Sequence, residues 1–142
     1  MLVLAFDTAG TVASIAILNE QKLLYSNYSN DINKQSELLI PEIEKALRAQ
    51  KIWYQDLDLI VATKGPGSFT GTRIGLAFAR TLKISLNVPV ILIDSRKVEG
   101  KRAEDIGLLG IKKFSTNKIS KNLKPIYSTP PKITTRKNNA EK

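Results

Sequence analysis

The stretch LIVATKGPGSFTGTRIG, residues 59–75, decides the fold. It opens with an apolar run, Leu59 to Thr63, which predicts a strand buried on both faces and parallel to a neighbouring strand. The glycine-rich loop GPGSFTG, residues 65–71, follows, and an apolar pattern then predicts a helix over Thr72 to Leu86. A buried strand that leads through a short loop into a helix is typical of an α/β fold.

The rest of the first two thirds supplies more strands and one more helix. Short connections favour antiparallel neighbours, so the first three strands are expected to form a meander. The helix is amphipathic, and Pro41 predicts a kink near its start. The order βββαβαβ indicates an α/β fold with a mixed sheet and helices packed on it. The further predicted elements are strands Leu2 to Phe6, Ala13 to Leu18, Lys22 to Tyr28 and Pro89 to Asp94, and a helix from Ser36 to Gln50.

Charge divides the sequence near Ser95. Residues 1–95 carry nine basic and nine acidic residues, whereas residues 96–142 carry thirteen basic and four acidic ones, so the net charge of +9 lies in the last third. This shift predicts a boundary between a first unit, 1–95, and a basic second segment, 96–142. Ala103 to Phe114 is compatible with a short helix that two glycines weaken. We expect a disordered tail over 136–142.

Composition excludes several classes of protein. The chain has no cysteine and no histidine, so disulfides, thiolate nucleophiles and imidazole bases are ruled out. No metal site is expected apart from an all-oxygen site of the magnesium or calcium type. No apolar run reaches the roughly 18 residues of a membrane helix, and the first residues lack a basic leader. We therefore expect a cytoplasmic protein that does not enter a membrane.

The glycine-rich loop and the end of the first strand are the candidate ligand site. Both follow predicted strands of one sheet, at the carboxyl edge where open sheets bind ligands. Backbone N–H groups at a helix start receive anions, and an acid such as Asp7 can contact phosphate-bound magnesium. The alternative is a tight strand-to-helix turn and a turn-forming aspartate, with no ligand. The candidate cofactor-binding residues are Asp7, Thr8, Gly65, Gly67, Ser68, Thr70 and Gly71.

The second predicted helix has more apolar circumference than one sheet can cover. Its apolar and small residues, from Ile84 round to Ala79, sweep roughly 220° at about 100° per residue. A stripe that faces one sheet needs only about 100° or a little more. The surplus predicts burial on a second side, either by a later part of this chain or by another polypeptide.

Other charged groups are ordinary by pattern. Glu37 and Glu44 lie on the solvent side of the first helix, which favours a solvent-exposed helix face over a catalytic carboxylate pair. The basic last third would attract nucleic acid electrostatically, although drift in an AT-rich coding sequence explains its lysines equally well.

The motif TKGPGSFTGTRIG, residues 63–75, closely resembles the bacterial TsaB (YeaZ) family. LAFDT, residues 4–8, matches that family's opening strand, and QSELLIP, residues 35–41, resembles its first helix, with Gln35 where histidine is common. The resemblance covers about residues 1–95. It implies an actin-like ASKHA subdomain of ribonuclease H-like fold, and a role in forming threonylcarbamoyladenosine at position 37 of ANN-decoding tRNAs.

The resemblance also implies partners. Family members are generally not the catalyst but pair with the catalytic paralog TsaD, and the ATPase TsaE joins the assembly. This implies no catalytic residue here, ATP or ADP with magnesium only in the assembled complex, and indirect contact with tRNA. A homodimer is the other expected pairing. The partner contact of the family uses the two helices, which here supply Leu39, Ile43, Leu47, Ile74, Gly75, Phe78, Ala79 and Leu82.

The last third departs from the family. Residues 89–97 resemble the end of the first subdomain fused to the start of the second, and residues 123–127 resemble the family's last segment, so most of the second subdomain is missing between them. Two other functions therefore stay open. One is a truncated, non-functional remnant, and the other is an ATP-dependent ASKHA phosphotransferase that uses Asp7 and the glycine loop. A metalloprotease is disfavoured because the chain has no histidine.

Overall fold

The computed structural model describes residues 1–9, 13–29, 35–67, 69–98 and 102–116. Short 3₁₀ turns, Tyr54–Asp56 and Ser95–Lys97, lie in two of the connections. The candidate residue Ser68, the segment 123–127 and the tail 136–142 lie outside the described residues. The strands and helices are β1 (Leu2–Asp7), β2 (Ala13–Asn19), β3 (Lys22–Ser29), α1 (Gln35–Ala49), β4 (Leu59–Thr63), α2 (Phe69–Leu86), β5 (Val90–Ile93) and α3 (Arg102–Ser115).

The strands form one mixed sheet in the order β3-β2-β1-β4-β5. β1, β2 and β3 pair antiparallel as a meander, because the connections between them are too short for a crossover. β4 pairs parallel with β1 and with β5, and the chain reaches β4 from β3 through α1 and β5 from β4 through α2. The predicted mixed sheet and the order βββαβαβ are confirmed.

Side chains that alternate along the central strands pack into two separate cores, one on each face of the sheet. Leu4 and Phe6 of β1 point to the face that α1 and α2 cover, whereas Val3 and Ala5 point to the face that α3 covers. All four side chains are fully buried. Burial on both faces explains why β1, β4 and β5 are continuous apolar runs without polar alternation.

Helix α3 packs closely on the sheet, and its glycines make that approach possible. A β-carbon on Gly107 would lie 2.6 Å from Leu18 Cδ1, and one on Gly110 would lie 2.7 Å from Val61 Cγ1. The glycines that weaken the helix by propensity therefore sit where the sheet leaves no room for a side chain. The boundary at Ser95 marks a change of charge, but α3 beyond it shares a core with Val3 and Ala5. The assignment of residues 96–142 to a second subdomain stays a prediction.

The observed helices differ a little from the predicted ones. α1 runs continuously through Pro41, and α2 starts at Phe69, three residues before the predicted Thr72. The predicted start at Thr72 is too late because Gly71, which by pattern belongs to the loop, lies inside the first turns of the helix. None of the helices in the described part of the chain is long and apolar enough to cross a membrane.

Candidate functional site

Asp7 sits at the carboxyl end of β1, fully buried, and is held by groups of this chain. Its Oδ1 accepts a hydrogen bond from the Thr63 hydroxyl (2.6 Å) and another from the Ala9 backbone N–H (3.1 Å). Thr63 ends the parallel strand β4, so the pair joins two adjacent strands where both leave the sheet. Asp7 thereby fixes the β1 turn to β4.

The glycine-rich loop packs on the end of β1. Gly65 has a φ of 96°, a conformation that glycine adopts without strain, and its carbonyl accepts from the Ser95 N–H at 2.8 Å. A β-carbon on Gly67 would overlap the Ala9 carbonyl oxygen. The loop can therefore lie against the turn after β1 only because Gly67 has no side chain.

Thr8 contacts the start of α2 rather than an open cleft. Its hydroxyl donates to the carbonyl of Gly71, which is buried, whereas Thr70 is exposed. The sequence prediction did bring together residues of β1 and the glycine loop. However, the turn after β1 lies where a side chain on Gly67 would be, and the Gly71 carbonyl is bonded to Thr8, which favours the turn interpretation. Nucleotide binding stays a prediction, and we derive no step from it.

The same edge carries an ion pair beyond β5. Arg96 Nη2 lies 2.6 Å from Asp94 Oδ2, and Arg96 Nε donates to Asp94 Oδ1 at 2.9 Å. The Arg96 hydrogen bond is the largest cause that holds the pKa of Asp94 well below its usual value, and the positive charge of Lys64 acts in the same direction. The Asp94 carboxylate is therefore paired with Arg96 at this edge, and Lys64 lies close enough to act on it.

Most residues predicted for a partner interface belong to the chain's own core. Gly75 is buried beneath α2, and five side chains of the set are at most 5% exposed, namely Leu39, Ile43, Leu47, Ala79 and Leu82. They point toward the sheet because α1 and α2 pack on it with these stripes. Only Ile74 and Phe78 of the predicted set are partly exposed. These six residues line the chain's own core, and a partner contact at the residues of the predicted set stays a prediction.

The exposed apolar residues lie on the outer side of the same two helices. Ile84 is 75% exposed and Ile40 is 44% exposed, and these are two of the largest exposed apolar side chains. Ala77 and Thr81 are exposed on the turns of α2 before Ile84. We call this surface the docking face, and it consists of Ile40, Ile74, Ala77, Phe78, Thr81 and Ile84.

Ile40 lies on the flank of α1 that is turned toward α2. Glu42, about 200° away around the helix, accepts a hydrogen bond from Asn27 of the outer strand β3 at 3.1 Å. The opposite flank therefore faces α2, on which the Phe78 ring packs against Phe6 of β1 (centroids 5.6 Å apart). The docking face thus includes exposed residues of both helices.

Sequence reasoning missed Ile40, Ala77 and Ile84 as surface residues. The apolar arc of α2 already contained Ala77 and Ile84, at the end opposite to Ala79. The signal was the width of the arc, because the sheet covers one end of it and leaves the other exposed. The burial of Ala79 and the exposure of Ile84 show which end is which.

Comparisons with known proteins point to one family. Residues 29–103, more than half of the chain, match the model of the family described as tRNA N6-adenosine threonylcarbamoyltransferase (TsaD). The tRNA threonylcarbamoyladenosine biosynthesis protein TsaB of Buchnera aphidicola subsp. Schizaphis graminum is 33% identical over 102 residues, which are 72% of this chain and 48% of that protein.

Two solved structures extend the comparison. YeaZ from Pseudomonas aeruginosa superposes with a TM-score of 0.61 at 30% identity, over 66% of this chain and 43% of that one. RuvC of Thermus thermophilus superposes with a TM-score of 0.55 over 84% of this chain and 98% of that one, and at 8% identity it shows the fold alone.

The chain spans about half the length of the TsaB relative that it matches. The shared region includes β4, the glycine-rich loop and α2, the elements on which the sequence resemblance stands. The predicted ribonuclease H-like fold of the ASKHA group is confirmed. With its matched glycine loop, its sheet and its YeaZ-like superposition, the chain belongs to the tRNA N6-adenosine threonylcarbamoyltransferase family, in its TsaB (YeaZ) group.

Proposed function

We propose that this chain is a non-catalytic, dimer-forming subunit of the complex that forms threonylcarbamoyladenosine at position 37 of ANN-decoding tRNAs. It pairs with the catalytic paralog TsaD through the docking face. The observation that carries this proposal is an apolar surface across α1 and α2 that nothing else in the described part of the chain covers. The proposed role places the chain in the cytoplasm, with tRNA contacted through the complex.

The position of α3 supports an external occupant for this surface. α3 lies on the opposite face of the sheet, where it packs on Val3, Ala5 and Val61. It therefore leaves the outer side of α2 to solvent, with Ile84 three quarters exposed. An isolated exposed isoleucine needs no explanation, whereas exposed apolar side chains on two neighbouring helices support an interaction surface.

The size of the effect follows from the exposed side chains. Burial of a whole isoleucine side chain contributes about 1.5–3 kcal/mol, and Ile84 has three quarters of its surface left to bury. A glutamate there loses that gain and brings a charge to an apolar contact, which costs more. We expect Ile84→Glu to weaken pairing by at least about 10-fold, which corresponds to about 1.4 kcal/mol.

The test is association with the TsaD-type paralog encoded by the same genome, measured by calorimetry and by co-purification. The test variant is Ile84→Glu. The matched control is Leu108→Glu, which places the same charge at a leucine that is 37% exposed on α3, on the other side of the sheet. The first variant should lose binding and the control should keep it. Equal binding by both variants would place the interface elsewhere.

A modification assay separates the subunit from a truncated remnant. The nucleosides of tRNA from a strain that lacks its full-length TsaB are analysed with and without this chain. Restored threonylcarbamoyladenosine supports the proposal, and absence of restoration together with a broad, non-cooperative melt supports the remnant.

We propose further that TsaE joins the assembly and that ATP or ADP with magnesium is bound only there. Self-pairing through the docking face is the competing assembly. Sedimentation of the chain alone over a range of concentrations measures it, and Ile84→Glu should abolish any dimer that uses this face.

A further inference from the structure

Thr8, directly after β1, contacts α2, the helix that carries most of the docking face. Its hydroxyl donates a hydrogen bond to the Gly71 carbonyl in the first turns of α2, across 63 residues of sequence. Thr8 is 2% exposed, so no water competes for this contact. The side chain that follows β1 is thus bonded directly to the backbone of the helix that carries most of the docking face.

The next turn of α2 fits round the same hydroxyl. A β-carbon on Gly75 would overlap Thr8 Oγ1, while it would lie 3.7 Å from Thr8 Cβ and 3.9 Å from Phe6 Cε1. Only the hydroxyl therefore occupies the place of the missing side chain, and the other two contacts would be ordinary van der Waals separations. The Thr8 hydroxyl and Gly75 are complementary in shape as well as bonded through the adjacent turn.

Phe78 supplies the following contact along the helix. Its ring packs against Phe6, the neighbour of Asp7 in β1, with centroids 5.6 Å apart and planes inclined by 50°. Gly71, Gly75 and Phe78 follow one another at helical spacing on one side of α2. Three successive points of the helix are thus set by two side chains, Phe6 of β1 and Thr8 just after it.

We propose that Thr8 is a positioning residue for partner binding, because its hydroxyl in the notch at Gly75 sets the height and rotation of α2 on the sheet. The docking residues Ile74, Ala77 and Ile84 lie on the same rigid helix. A displacement of α2 at Thr8 therefore moves them relative to Ile40 on α1. This inference rests on the proposed function, since it explains how the docking face is held.

The close fit between Gly75 and the Thr8 hydroxyl can be disturbed and restored by substitution. Gly75→Ala forces its β-carbon against the Thr8 hydroxyl, so α2 must move outward. Thr8→Ala with Gly75→Ala removes that hydroxyl and leaves the 3.7 Å contact between the two β-carbons. Thr8→Ser keeps the hydroxyl in place. Thr8→Val replaces it with a bulkier methyl group that cannot donate.

The experiment measures the dissociation constant of each variant with the TsaD-type paralog, together with its melting temperature. Gly75→Ala and Thr8→Val should bind at least 10-fold more weakly than the unsubstituted chain. Thr8→Ser should bind as well as that chain, and the double variant should recover most of the affinity that Gly75→Ala loses. If Gly75→Ala does not fold, the comparison of Thr8→Val with Thr8→Ser decides.

A control separates positioning from loss of stability. Ile106→Val lies in the core on the α3 face, far from the docking face, and lowers the melting temperature without touching α2. At a matched fall in melting temperature it should keep full affinity. Weakened binding by this control, or unchanged binding by Gly75→Ala and Thr8→Val, overturns the positioning role while the proposed function stands. An unsubstituted chain that does not bind the paralog overturns both.

Discussion

Substitution of Gly110 by alanine tests whether α3 lies on the sheet as described. In an exposed helix this change stabilises by about 1 kcal/mol, because glycine is a poor helix former. Here the new β-carbon would lie 2.7 Å from Val61 Cγ1 and 3.1 Å from Val61 Cβ, and closer still to Cγ2. Val61 is fully buried in β4 and is stiff at χ1, so it has nowhere to move.

The magnitude follows from these two opposing terms. Overpacking of a well-filled core costs about 1–3 kcal/mol, and the stiff neighbour puts Gly110→Ala toward the upper end. After the gain in helix propensity, we expect a net loss of about 1–2 kcal/mol. Val61→Ala in the same chain removes both Cγ atoms. The double variant should therefore lose less stability than the two single variants together.

Gly107 is the matched control on the same helix. Its β-carbon would meet Leu18 Cδ1 at 2.6 Å, which is the far end of a flexible side chain, and Ala5 Cβ at 3.3 Å. The propensity gain is the same, but the neighbour can rotate away. Gly107→Ala should therefore stay within about 1 kcal/mol of the unsubstituted chain.

Urea denaturation followed by circular dichroism measures both variants. A fall in the midpoint at unchanged slope reports lost stability without a change in the surface exposed on unfolding. The expected order is the unsubstituted chain and Gly107→Ala above Gly110→Ala. A Gly110→Ala chain as stable as the original, or more so, would refute the close packing of α3 against β4.

Three other predictions concern the edge of the sheet and the surface. Asp7→Ala should destabilise by about 2–4 kcal/mol in the same assay, because the Thr63 hydroxyl and a backbone N–H lose their buried acceptor. Asp94→Asn should cost at most about 1 kcal/mol at pH 7, because Arg96 is 70% exposed and solvent screens the pair. The pKa of Asp94 is lowered in the folded chain. The stability difference between Asp94→Asn and the unsubstituted chain should therefore be present above about pH 4 and fade as the pH falls below it, which melting across pH measures. Trp53, the sole tryptophan, is 74% exposed, so its fluorescence should resemble that of indole in water and hardly shift on unfolding; a blue-shifted folded spectrum would contradict that exposure.

The order and direction of the strands were predictable from local pattern. Continuous apolar runs such as Leu2 to Phe6 indicate strands buried on both faces, and short connections leave only antiparallel pairing for the first three. The glycine loop after β4 then requires a helix and a crossover. These signals act within a few residues of each other, so one sequence was enough to read them.

The covered end of the α2 arc was not predictable in the same way. Periodicity tells which residues share a side of a helix, and both Ala79 and Ile84 belong to one wide apolar arc. Only the three-dimensional position of the sheet decides that Ala79 is fully buried and Ile84 is 75% exposed. The width of the arc predicted a second contact, but Gly75, Ala79 and Leu82, three of the five residues predicted for it on α2, lie at the buried end.

Helix propensity alone does not explain the glycines in the helices, because propensity and packing act on them in opposite directions. Gly110 costs helix stability in isolation, yet its missing β-carbon admits Val61 from the sheet, and Gly75 admits the Thr8 hydroxyl on the other face. A single β-carbon at Gly75 would therefore change the distance between α2 and the sheet, and one at Gly110 would change the distance between α3 and the sheet. A glycine-rich motif before a helix suggests a phosphate, but Gly67 and Gly75 are filled by the turn that follows β1. If the Thr8 and Gly75 variants behave as expected, the family's two sequence signatures, at the end of β1 and at the start of α2, are two halves of one contact.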